Sequence, residues 1–259
     1  MVGGPRVGLL YPTPNAGEDD FLDLAAVLRP ALDLEVVYFP WPDDVDDLAA
    51  MDIGRVIDAL RRLGSAQHLE RVLPDAVGER RLDAVAFAVT SASFLDGPGG
   101  VERQLRAIER VVGCPATSTT FAFQQAIRHL ALSRVALASV YHAEVSEHFV
   151  ARVREAGAEV VNRVDASARS DRELAKWAPE QIVDLVKRSA HPGAQAVLLP
   201  ETALHASHLT TELEQAAGCP VLTATQVTLW AATRLTGKPT VAAEAGPLFE
   251  QTDDPTARS

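Results

Sequence analysis

Gly113-Cys114-Pro115-Ala116-Thr117-Ser118-Thr119 and Gly218-Cys219-Pro220-Val221-Leu222-Thr223-Ala224-Thr225 are written to one plan. Each opens on a glycine that closes a helix, passes through a proline that starts a short strand, and ends in hydroxyl residues ahead of another helix. Working outward, the pairing recurs in order. Arg6-Val7-Gly8-Leu9-Leu10 is echoed by Arg134-Val135-Ala136-Leu137-Ala138, and the turn Tyr11-Pro12-Thr13-Pro14-Asn15 by a turn carrying Tyr141. Leu34 to Phe39 reads as a second strand matched by Ala158 to Val161, and Ala84 to Val89 as a third matched by Ala196 to Pro200. Amphipathic stretches separate these runs: Glu18 to Leu28, a long helix with Ile53, Val56, Ile57, Leu60 and Leu63 at helical spacing, Val101 to Val112 behind Pro98-Gly99-Gly100, and Glu144 to Glu155.

Short apolar strands alternating with helices predict an α/β protein with parallel sheets. The repeated order predicts two pseudo-symmetric flavodoxin-like halves, each a mostly parallel sheet flanked by helices, with a site between them. The expected division is 1–117 for the first half, 118–224 for the second, 225–251 for a C-terminal helix and return segment packing back on the first half, and 252–259 for a polar tail.

The 259 residues are 47% apolar but only 5% aromatic, so the interior must be built from Ala, Val and Leu. Net charge is −11 with no basic stripe, which argues against nucleic acid as a partner. The acidity is spread along the chain. Its densest run, Asp43-Asp44-Val45-Asp46-Asp47, is expected to favour the positive end of the helix that follows. No apolar run reaches the length of a membrane span and no signal peptide is read, so the expected setting is the cytoplasm, with no membrane partner. Two distant cysteines do not make a disulfide framework.

Open parallel sheets bind ligands beyond the carboxyl ends of their strands. Two facing halves would then share a pocket lined by Pro12 to Asn15, Val89, Thr90, Ser91, Thr119, Thr120, Tyr141, Glu201, Thr202, Thr225 and Gln226. Gly97-Pro98-Gly99-Gly100 lacks the spacing and lysine of a phosphate-binding loop.

These turns resemble the aspartate/glutamate racemase superfamily, in its arylmalonate decarboxylase and maleate cis-trans isomerase branch. Tyr11 to Asn15 is similar to the isomerases' opening loop, and Thr90-Ser91-Ala92-Ser93-Phe94 to a decarboxylase turn whose Thr and Ser hold a substrate carboxylate. Val140-Tyr141 resembles the pocket tyrosine, and the stretch from Gly218 through Trp230 to Arg234-Leu235 and Gly237 the last strand and helix. The resemblance implies a cofactor-independent enzyme acting on a small carboxylic or dicarboxylic acid, by decarboxylation or isomerisation through an enediolate. It also exposes a departure: the two positions that carry catalytic cysteines in such enzymes fall on Val89 and Glu201. Cys114 and Cys219 lie at strand starts, away from the pocket, and are expected to be buried and inert.

Each candidate has a functional and a structural reading. Thr90 and Ser91 can present hydroxyl and N–H groups to a carboxylate, or cap a helix. Tyr141 can donate to an oxyanion or sit at a domain boundary. Glu201 is the candidate acid/base: burial would raise its pKa, whereas the helix expected after Pro200 would lower it. On that helix His205 and His208 would share a face, which is thin support for a metal, so none is expected; His205 can instead serve as an acid or orient Glu201, one turn away. Pro14 and Asn15 contact substrate or shape their turn, and Thr119, Thr202 and Thr225 complete the expected binding set. The rival expectation is a non-catalytic carboxylate-binding protein descended from such enzymes. Substrate and oligomeric state, a homo-oligomer included, are left open.

Overall fold

The computed structural model describes residues 4–45 and 48–250. The first half runs β1 (Arg6–Tyr11), α1 (Glu18–Val27), β2 (Asp33–Tyr38), α2 (Ile53–Leu63), α3 (Ala66–Val77), β3 (Ala84–Phe87), α4 (Thr90–Phe94), α5 (Gly100–Val112), β4 (Ala116–Ser118) and α6 (Thr119–His129). The second runs β5 (Arg134–Ser139), α7 (Ala143–Glu155), β6 (Glu159–Asp165), α8 (Asp171–Leu174), α9 (Pro179–Ser189), β7 (Ala196–Leu199), α10 (Thr210–Ala217), β8 (Val221–Thr223) and α11 (Ala224–Leu235), before a last turn, α12 (Pro247–Glu250). The sheet orders are β2-β1-β3-β4 and β6-β5-β7-β8, every pairing parallel. This is the doubly repeated α/β arrangement read from the sequence.

Burial explains why the strands read as continuous apolar runs rather than alternating ones. One face of the first sheet (Leu10, Val85, Phe87) packs on α3 and α5. The corresponding face of the second (Ala136, Val197, Leu199) packs on α9 and α10. The remaining faces do not form separate cores. Val7, Leu9 and Ala86 of one sheet join Val135, Leu137, Leu198 and Leu222 of the other in a single cluster, filled by Phe21, Phe123, Phe149 and Trp230 from α1, α6, α7 and α11. Helix α11 packs over β3 and β4 of the first half.

Several local readings change. The third strand stops at Phe87, because Thr90 already begins the short helix α4. The long helix after β2 is two helices, broken at Gly64-Ser65, where the Ser65 side chain accepts from the His68 N–H and starts α3. The acidic run is followed by a single 3-10 turn at Leu48–Ala50 and not directly by α2, which is capped by Asp52; Asp43 and Asp44 pair with Arg71 and Arg62. Asp46 and Asp47 lie outside the described residues, as do 252–259. No helix among the described residues is long and apolar enough to cross a membrane.

Candidate functional site

Register fixes which residues face each other. Val7 pairs with Ala84, and Val135 with Ala196. Five residues beyond Ala84 and Ala196 stand Val89 and Glu201, followed by Thr90 and Thr202. The two turns are therefore equivalent corners of the two halves. A cavity between them is lined by Tyr11, Pro12, Val89, Thr90, Ser91, Tyr141, Glu201, Thr202 and Ala203. Trp41, Leu48, Val56, Leu60, Val140 and Leu174 form its apolar wall.

The first corner is the start of α4. Val89 is its N-cap residue and Thr90, Ser91 and Ala92 form the first turn, whose N–H groups have no intrahelical acceptor. The Thr90 carbonyl accepts from Ser93 Oγ at 2.8 Å and Thr120 Oγ1 at 3.2 Å, and Gln104 Nε2 donates to the Ala92 carbonyl at 3.1 Å. These bonds hold the backbone of the turn and do not use the Thr90 hydroxyl. Thr90 Oγ1 is buried beside Tyr141 and makes no hydrogen bond of ordinary geometry. Such an orphan is uncommon in a folded interior, and a ligand oxygen would satisfy it.

The second corner departs from expectation. No helix follows Pro200; residues 201–206 are turn and bend, and helical structure resumes only at Ser207. Long-range bonds shape this turn. Tyr11 Oη donates to the Thr202 carbonyl at 3.0 Å, and the Ser207 N–H donates to Asp20 Oδ1 at 2.9 Å. Gly17, at φ 102°, lies so close that a Cβ there would sit 2.6 Å from the Ala203 Cα. With no helix at Glu201, the dipole expected to hold its pKa down is absent.

Glu201 is 9% exposed, with Oε1 accepting the Ala203 N–H at 2.8 Å. Burial pushes its carboxyl up to about 7; the Ala203 N–H and the Tyr141 hydroxyl oppose the rise, and the nearby Asp171 charge adds to it. Burial and then the Glu201 charge hold the Tyr11 and Tyr141 phenols well above their usual range. Tyr141 Oη donates to the Pro200 carbonyl at 2.6 Å. At neutral pH the cavity thus holds two protonated phenols and one carboxyl near its midpoint.

Other expected site residues lie elsewhere. Thr119 is fully buried, its Oγ1 2.9 Å from Thr228 Oγ1, and Thr225 Oγ1 donates to Asp20 Oδ2 at 2.6 Å. Both sit in the first turns of helices that enter the shared core, so their hydroxyls bond inward. Ser118 and Thr223 cap those helices. Pro14 lines an adjoining outer pocket that shares Pro12, Trp41, Leu48, Ser170 and Asp171 with the cavity. Asn15 lies farther out; its turn is fixed by its own N–H and that of Ala16, both donated to the Glu18 carboxylate, and its φ is 58°. His205 Nε2 meets Asp19 Oδ1 at 2.7 Å and lines that outer region, so it does not orient Glu201. Among the described residues no group of three His, Cys, Asp or Glu could hold a metal. Cys114 and Cys219 are half-buried rather than buried, with thiols pushed up by burial, at the strand ends opposite the cavity.

Sequence reasoning missed the apolar wall and the segment 168–171. The helical spacing of Val56 and Leu60 shows an apolar face but not that it meets a cavity, while Trp41, Leu48 and 168–171 come from irregular connections after β2 and β6 that carry no periodic signal. Their equivalence in the repeat was the available clue.

A model of the arylmalonate decarboxylase family matches residues 45–249. The chain is 29% identical to arylmalonate decarboxylase of Bordetella bronchiseptica over 206 residues, 73% of this chain and 86% of that protein. A crystal structure of arylmalonate decarboxylase superposes with a TM-score of 0.68 at 25% identity, covering 96% of this chain and all of the other. A Nocardia farcinica maleate cis-trans isomerase mutant, with a covalently bound succinylcysteine intermediate, superposes with a TM-score of 0.80 at 18% identity over 96% of this chain and 100% of its own, a likeness of fold. With its repeated sheets, the Thr90-Ser91 corner and a match across most of its length, the chain belongs to the arylmalonate decarboxylase family.

Proposed function

We propose that this protein is a cofactor-independent enzyme acting at the carbon next to the carboxylate of a small carboxylic or dicarboxylic acid. In this reading Glu201 does the proton transfer. The observation that carries it is the buried Glu201 carboxyl, near 7, in one cavity with the unpaired Thr90 hydroxyl and Ser91.

The substrate carboxylate sits on the first turn of α4, taking hydrogen bonds from Thr90 Oγ1, Ser91 and the free N–H groups. When the bond from the adjacent carbon to a departing carboxylate breaks and releases CO2, or when ionised Glu201 takes a proton from that carbon, the bond's electron pair flows into the bound carboxylate as an enediolate. The same donors strengthen as that charge grows, and the neutral Tyr141 phenol, freed from Pro200, is placed to add another. The apolar wall favours neutral CO2 over a carboxylate, which assists the decarboxylation route. Protonated Glu201 then delivers a proton to the carbon and regains one from water. A carboxyl with its pKa at operating pH suits that exchange.

The second reading, a carboxylate-binding protein without turnover, draws on Val89 and Glu201 standing at both positions where the resemblance implies thiols. Proton NMR of the protein with malonates, phenylmalonate and maleate separates the two. The enzyme reading predicts consumption of at least one acid, slowed by about 10²–10⁴-fold in Glu201→Gln with the fold intact. Saturable binding with every acid unchanged would support the binder, and turnover untouched in Glu201→Gln would remove Glu201 from the mechanism.

A further inference from the structure

Among the described residues, two acid groups, Glu201 and Asp171, line the cavity, in a chain of net charge −11, which by itself repels a dianion. Among the described residues, the one basic residue lining it is Arg169. Its guanidinium has neither a hydrogen bond nor an ion pair among the described residues; only its backbone N–H is used, donating to Glu173 Oε2 at 3.1 Å. The segment bearing it is nonetheless fixed. The Ala166 N–H donates to the Ser139 carbonyl at 2.9 Å, the Ala168 N–H to the Val140 carbonyl at 2.8 Å, and Ser170 caps α8. Exposed Arg169, its side chain unpartnered, is thus carried on a fixed segment that lines the cavity whose inner corner is Thr90-Ser91.

Resting on the reading above, we propose that Arg169 binds the second, distal carboxylate of a dicarboxylic acid whose reacting end lies at Thr90 and Ser91. Guanidinium matches a carboxylate in a bidentate fork, and its charge offsets Asp171 and Glu201. The distal carboxylate is retained through the reaction, since an ion pair would hold back the loss of the group it binds. With both carboxylates held, neither is free to depart as CO2, so the reaction on this substrate is proton transfer at the carbon beside Thr90 and Ser91. The substrate class is therefore a dicarboxylic acid with its second carboxylate carried on the far end of the molecule.

Calorimetric titration with succinate and butyrate, which differ in the distal carboxylate, tests this. The wild type is expected to prefer succinate by about tenfold, the ratio falling to near one in Arg169→Gln and partly returning in Arg169→Lys. The preference should shrink as salt rises. Equal affinity for the two acids in the wild type, binding of neither, or an unchanged ratio in Arg169→Gln would overturn the assignment. Preferential succinate binding lost in Arg169→Gln, with no acid consumed in the NMR assay, would sustain Arg169 while removing the enzyme reading.

Discussion

Glu201 combines burial with a single strong backbone donor, and its charge is correspondingly expensive. In the unfolded chain a glutamate titrates near its ordinary value, whereas here it titrates at about 7. Between those values the folded state holds the extra proton, so this group's contribution to stability falls as pH rises through that window. The penalty is complete above about pH 7 and amounts to roughly 3 kcal/mol. Urea unfolding of wild type and Glu201→Gln should therefore show similar stability near pH 5 and a more stable variant at pH 8. A difference independent of pH would mean that Glu201 is not held protonated by burial. The repeat picks out Val89, Thr90, Ser91, Tyr141, Glu201 and Thr202, and these residues line one cavity. Thr119 and Thr225 were misread because a hydroxyl at a helix start serves an interior partner as readily as a ligand, and sequence does not say which way a helix leaves its strand.

The turn 201–206 depends on elements distant in sequence. Asp20 of α1 accepts both the Ser207 N–H and the Thr225 hydroxyl, and Tyr11 of β1 reaches the Thr202 carbonyl. A local reading saw a helix there because its residues have no strong breaker after Pro200. The tertiary bonds that decide its shape cannot be read from that stretch alone. Asp20→Ala leaves a part-buried N–H and a buried hydroxyl without their acceptor and should cost about 2–4 kcal/mol in urea unfolding. Because the same bonds place Glu201, the variant's turnover should fall even where it is fully folded. Folded Asp20→Ala with unaltered turnover would show that the turn holds itself in place.

The two halves were legible as repeats because parallel strands buried on both faces leave long apolar runs in the sequence. Their fusion was less legible. Helix α11 was expected over the first half, but nothing local signals that both inner sheet faces and four helices share one core. That core argues for concerted unfolding, since neither half can leave without exposing the inner face of the other. Far-UV circular dichroism, Trp41 fluorescence in the first half and Trp177 fluorescence in the second, followed in single-tryptophan variants, should give coincident urea transitions. Separate midpoints would show two independent domains.

The cavity between the halves works as proposed only if it keeps a carboxyl protonated near neutral pH. Isotope-edited infrared spectroscopy of protein labelled with 13C-carboxyl glutamate reads this directly. A protonated-carboxyl band that disappears with a midpoint near 7, and is missing from Glu201→Gln, is the predicted result. A spectrum in which every glutamate loses its proton by about pH 5 would contradict the account.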